Sequence, residues 1–236
     1  MADRGNVRSV RHGLAIAAVL MGWSAPAVGA QTDQPCDVVP MDCTFEALPF
    51  EFTVVDAETH RPLADVHALA EWQIHGVGGR PNGPLMVLEA VSGQNGVLNF
   101  PGWGPITGPV TGIGIGRDPV ITLFKTGYRT LVINNGDPPG TKETQRVRRF
   151  GQHGRTYALE PFRGAPPEWL QELERVYAGI AFPRSDDQSL QFRGPYLNRL
   201  RRVWAEREKV PEGFRGERDL FWFVEKRMKF LEEGHR

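Results

Sequence analysis

Cysteine is nearly absent, with two in 236 residues. That excludes a disulfide-dense scaffold and a Cys-only zinc finger. Net charge is absent as well: 28 Lys plus Arg balance 28 Asp plus Glu. Nothing in that balance draws the chain toward nucleic acid or acidic lipid. Apolar runs long enough for several membrane spans are missing. What remains is a globular composition, 40% hydrophobic, with 27 Gly and 19 Pro. Such a count predicts many turns and rules out a disordered chain.

The first thirty residues read as an address rather than as part of the fold. Arg4, Arg8 and Arg11 precede a short apolar stretch, Gly13 to Met21. A small-residue segment follows and ends Val28-Gly29-Ala30. This is the layout of a cleavable Sec-type signal, with cleavage expected after Ala30. The apolar stretch is far short of the roughly 20 residues of a spanning helix, so no stable membrane span is expected after cleavage. The reading places the mature chain in the periplasm or outside the cell.

Export changes how Cys36 and Cys43 read. They are close in sequence, in Cys-Asp-Val-Val-Pro-Met-Asp-Cys. In an oxidising compartment this spacing predicts a local disulfide in an N-terminal segment, residues 31–48. Closing so short a loop stabilises by roughly 2–3 kcal/mol in the chain-entropy model. The alternative, a redox or metal pair, has neither Cys-x-x-Cys spacing nor a neighbouring His.

Residues 49–162 alternate. Phe50, Phe52 and Val54 share one face, with Glu51 and Thr53 between them. Val66, Ala68, Ala70, Trp72 and Ile74 do the same, and His67, Glu71, Gln73 and His75 fall on the other face. Leu69 is the exception. Period two predicts half-buried strands. Further runs at Leu85–Val91, Val97–Phe100, Pro119–Phe124, Thr130–Ile133 and Tyr157–Leu159 bring the expectation to about seven strands. Asn95-Gly96 marks a hairpin turn. Frequent turns with no helix among them predict a β-sandwich.

Val55-Asp56-Ala57-Glu58-Thr59 and Pro62-Leu63-Ala64-Asp65-Val66 carry a resemblance, as do Asn95-Gly96-Val97 and Gly127-Tyr128. These segments resemble the carboxypeptidase regulatory-like domain. The resemblance implies a transthyretin-like (prealbumin-like) sandwich over roughly Phe50 to Leu159, and an accessory or binding role. His60 stands where the turn glycine of that family is expected, and Asp65 stands where a small residue is expected. A positive φ at a non-glycine residue costs about 1 kcal/mol.

After Phe162 the period becomes helical. Trp169, Leu173, Val176, Tyr177 and Ile180 form one stripe. Tyr196, Leu197, Leu200, Val203 and Trp204 form a second, and Leu220, Phe221, Val224, Met228 and Leu231 a third. Residues 163–236 are therefore expected to hold about three amphipathic helices, opened by Pro166-Pro167-Glu168. Arg199, Arg201, Arg202 and Arg207 read as a basic surface on the second helix. Acidic residues exceed basic ones before this tail, and the balance reverses within it. Nucleic acid is not an expected partner.

Complete catalytic sets are missing. There is no His-x-x-Glu for a zinc peptidase and no Gly-x-Ser-x-Gly elbow. The stretch Pro62 to Gly76 is similar to the early strand and Trp-containing turn of intradiol ring-cleavage dioxygenases, whose iron takes two Tyr and two His; no late His-x-His occurs here. The related transthyretin-like hydrolases carry Tyr-Arg-Gly-Ser, where this chain has Tyr128-Arg129-Thr130-Leu131. His67, Glu71 and His75 share a strand face but stand ~13 Å apart at each step, at ~3.3 Å per residue, too far for one metal. They are expected to be exposed polar residues. With Trp72 and Trp103 they form the candidate ligand face. No cofactor or metal is expected. The expected function is an exported, non-catalytic binding or accessory module for a protein, peptide or glycan of the envelope or exterior. A small enzyme with its site on sandwich loops, using His67, His75, His153 or Tyr128, is the alternative.

Overall fold

Alternation does set the strands, but the sheets they build are not one sandwich. The computed structural model describes residues 43–75, 81–108, 114–115, 119–135, 147–182, 186–216 and 219–234. The signal-like segment and Cys36 lie outside the described residues, and so does the pairing expected of Cys36 with Cys43.

Eleven strands are found among the described residues. In chain order they are β1 (Cys43–Ala47), β2 (Phe50–Asp56), β3 (His67–His75), β4 (Pro81–Val91), β5 (Val97–Phe100), β6 (Trp103–Gly108), β7 (Gly114–Ile115), β8 (Val120–Phe124), β9 (Leu131–Asn134), β10 (Val147–Arg148) and β11 (Thr156–Leu159). They form three sheets, ordered β10-β1-β6, β11-β2-β5 and β4-β3-β8-β9, with β7 also paired to β3. The first two sheets are mixed, because β10 runs parallel to β1 and β11 parallel to β2. The third is antiparallel throughout.

The expectation of about seven strands in a transthyretin-like sandwich is therefore wrong, and the count of three helices is low. Of the additional strands, β1 alternates over only four residues, with Phe45 and Ala47 buried, and the others carry no period. β7 and β10 have two residues each, and β6 (Trp-Gly-Pro-Ile-Thr-Gly) holds two glycines and a proline. Four α-helices follow: α1 (Pro166–Ala178), α2 (Asp186–Gln191), α3 (Arg193–Ala205) and α4 (Leu220–Glu233). The unexpected α2 is six residues long, too short to show an apolar stripe.

Two cores flank the third sheet. On one face, Ala68, Ala70, Trp72, Ile121 and Leu123 meet Phe52, Val54, Leu98 and Phe100 from β2 and β5, with Phe45 and Trp103 from the first sheet. On the other, Leu69, Val87 and Phe124 meet Trp169, Leu173, Val176, Leu200, Val203, Phe221 and Val224 from the helices. Leu69 breaks the alternation of β3 because its face is covered by helices instead of water. Each fully buried Leu or Phe at this seam stabilises by roughly 1.5–3 kcal/mol.

Helix ends are locally determined. Pro166 and Pro167 open α1, and the Glu168 carboxylate accepts from Ala165 N–H at 3.0 Å. Asp219 caps α4 by accepting from Trp222 N–H at 3.0 Å. In the turn after β2, His60 and Asp65 both hold positive φ, at 57° and 58°. Both are non-glycine residues in the left-handed region that glycine adopts most readily. Asp56 helps to fix the turn, accepting from the backbone N–H of Glu58 and Thr59 at 2.9 and 2.7 Å. Among the described residues no helix is long and apolar enough to cross a membrane.

Candidate functional site: a polar seam under the helices

The helix-covered face of β3 carries two polar side chains, His67 and Glu71, on either side of Leu69. Both are 1% exposed. The expectation that they stand on an open sheet face is corrected: α3 lies over them. Arg199 of α3 enters between and is itself fully buried. Its Nε donates to His67 Nδ1 at 2.9 Å, and its Nη2 donates to the backbone oxygens of His67 and Thr122 at 3.1 and 2.7 Å. On the far side of the ring, His67 Nε2 lies 3.1 Å from Glu89 Oε2. Glu89 is held in turn by Asn198 Nδ2, 2.7 Å from Oε1.

The donor pattern fixes the imidazole. Arginine offers only donors, so Nδ1 must accept, and Nε2–H then donates to the Glu89 carboxylate. His67 is therefore neutral. Desolvation points the same way and pushes its pKa down from 6.5 to about 4. The charges of the seam are Arg199 and Glu89, bridged by a neutral ring. The hydrogen bond from His67 is the main reason that the Glu89 carboxyl sits below the usual carboxylate range. Burial pushes Glu71 up from 4.5 to about 8, against the N–H of Ala181 that donates to its Oε1 at 3.0 Å. Glu71 is thus a neutral acid near pH 7.

The other candidates are placed elsewhere. Trp72 points to the opposite face of β3 and meets Trp103 edge to face at 5.4 Å, inside the first core. Neither belongs to a ligand face with His67. The side chain of His75 lies outside the described residues. Tyr128 donates to Asp56 Oδ2 at 2.9 Å, and His153 Nδ1 accepts from Glu51 N–H at 3.2 Å. Among the described residues, no cluster of three or more His, Cys, Asp or Glu is arranged to hold a metal. With both ring nitrogens engaged, His67 has no lone pair left for a metal or for a substrate proton.

Arg199 was hidden among its neighbours in the sequence. Arg201 and Arg202 do reach the surface, where they pair with Glu232 at 2.9 Å and Asp65 at 3.0 Å. Arg199 differs in phase. It falls three residues after Tyr196 and four before Val203, on the apolar stripe of α3. A charged residue in that phase is the one signal that could have exposed the seam. The seam borders a cleft of about 480 Å³ along β4 and α3, lined by His67, Glu89, Val91, Asn198, Arg201 and Arg202.

No family model matches the chain. No curated protein matches it either. Among solved structures, a 9R-lipoxygenase from Cyanothece PCC8801 is similar at 16% identity and a TM-score of 0.27. The likeness covers 69% of this chain and only 23% of the lipoxygenase. At that TM-score it carries no inference about fold or activity.

Proposed function

We propose that this chain is an exported, non-catalytic binding or accessory module. One observation carries the reading: His67, the buried histidine of the seam, has both ring nitrogens engaged, by Arg199 and by Glu89. The polar groups of this seam hold the helical layer on the sheet. The signal-like residues 1–30 support export, and the short segments that resemble carboxypeptidase regulatory-like domains support an accessory role.

A stability measurement tests the reading. Groups kept for chemistry are often replaced with no loss or a gain of stability. Groups that lock two layers together are not. His67→Ala and Arg199→Met are therefore expected to lower the unfolding free energy by about 2–5 kcal/mol each. Urea unfolding followed by tryptophan fluorescence reads this directly. Unchanged or raised stability in both variants would reverse the assignment and favour an active site at His67. Export is checked by the mass of the mature protein, expected to begin at Gln31; an exported chain that retains Met1 contradicts the proposed cleavage.

A further inference from the structure

A second cleft lies away from the seam, where the end of α3 meets the start of α4. Its volume is about 410 Å³, and Trp204, Arg215 and Trp222 are among its lining residues. Arg215 is the unusual member. Its side chain is only 12% exposed, and its Nε is buried with no hydrogen-bond partner. The Glu212 carboxylate is 3.8 Å from Nη2, beyond hydrogen-bond distance, and that side chain is 92% exposed. A nearly buried guanidinium with its Nε–H unmade is costly unless an acceptor arrives.

The rest of the wall decides what kind of acceptor. Trp204 and Trp222 supply aromatic surface, with Phe221 edge to face against Trp204 at 6.3 Å, and one ring face of each is covered by a cation, Arg207 over Trp204 at 5.5 Å and Lys226 over Trp222 at 4.3 Å. Asp219, Glu225 and Glu212 line the same cleft, and Arg207 adds a second cation beside Arg215. An anion large enough to fill the space would meet these carboxylates, and a cation would meet Arg215. A hydroxyl group suits both, because it donates and accepts. A ring that carries several hydroxyls on its rim and C–H groups on its faces matches aromatic walls and mixed polar edges together.

We propose that this cleft binds a neutral sugar ring of a glycan. Arg215 donates to ring or hydroxyl oxygens, the carboxylates of Asp219 and Glu225 accept from hydroxyls, and the tryptophans lie against the ring. The proposal rests on the reading of the chain as a binding module and names the ligand class.

The test uses the mature full-length chain and three neutral disaccharides: maltose, cellobiose and N,N′-diacetylchitobiose. Saturable change in tryptophan fluorescence is expected with at least one of them. Arg215→Gln is expected to weaken that binding at least tenfold. Glu225→Gln, on the exposed side of α4, keeps the fold and is expected to weaken it severalfold. No saturable response to any of the three sugars overturns the proposal. Equal affinity in both variants does so too, as does saturable binding of sulfate or glucuronate that exceeds every neutral sugar. None of these variants touches His67 or Arg199, so a failure here is distinct from a failure of the stability test above.

Discussion

Glu71 makes the stability of this protein depend on pH in a way that a single substitution removes. Its carboxyl is 1% exposed and titrates near pH 8 in the fold, against 4.5 ordinarily. Below pH 4.5 the group is protonated whether the chain is folded or not, and it imposes no penalty. Between 4.5 and 8 the unfolded chain releases a proton that the folded chain keeps. Stability therefore falls with rising pH, by about 1.4 kcal/mol per pH unit. The whole interval amounts to about 5 kcal/mol. His67 acts in the opposite sense. Its pKa is about 4 in the fold and 6.5 ordinarily, so its contribution is complete above 6.5 and is lost as pH falls through 4. That amounts to about 3 kcal/mol.

The two slopes cancel between pH 4.5 and 6.5. Above 6.5 only Glu71 still acts, so the pair predicts a net loss of about 2 kcal/mol by pH 8. Glu71→Gln keeps the Oε1 acceptor for Ala181 N–H and cannot ionise. Urea unfolding of both proteins across this range gives a difference curve. It should be level below pH 4.5, favour the variant increasingly up to pH 8, and level off beyond. Parallel curves for the two proteins would refute the reasoning, because they would mean that Glu71 is ionised and solvated in the fold.

Two further outcomes follow from the packing. Gly96 holds φ +72°, and a Cβ there would stand 2.4 Å from the Val54 carbonyl oxygen. Gly96→Ala is expected to cost about 2 kcal/mol or more, measured by thermal unfolding; a loss under about 0.5 kcal/mol would contradict the close approach. A chain ended after Phe162 uncovers Leu69, Val87 and Phe124 together with the polar seam, and is expected to be insoluble or to unfold without cooperativity. A soluble fragment with a sharp urea transition would show that the helices are not needed to close the second core.

The sequence carried the periodic part of the fold and little else. Alternation and the Asn95-Gly96 turn both mark β5 at its observed limits, Val97–Phe100. The three long helices were read from their stripes. Alternation cannot name a partner, however, and the pairing of β11 with β2 joins residues about a hundred positions apart. That is why alternation alone predicts one sandwich where the strands form three sheets. The candidate site failed for a related reason. Polar residues on alternate positions of β3 looked like a solvated face, and only the position of α3 reveals them as covered. Proximity in sequence and residue type group Trp72 and Trp103 with them, although Trp72 has the opposite strand phase.

The seam also accounts for how the helical layer finds one position on the sheet. Apolar contacts between Leu69, Phe124 and the helix stripes tolerate sliding, since any Leu can meet any Phe at small cost. Arg199 does not. Sliding α3 by one turn would carry its guanidinium about 5.4 Å from its partners. It would then be a buried cation without the His67 and Thr122 carbonyls, at a cost of several kcal/mol. Glu172 adds a second point on another helix, pairing with Arg129 at 3.3 Å. Two fixed points on α1 and α3 define both the height and the rotation of the helical layer. A seam that is only moderately stabilising in itself thereby excludes the neighbouring registers, and the apolar stripes supply the adhesion.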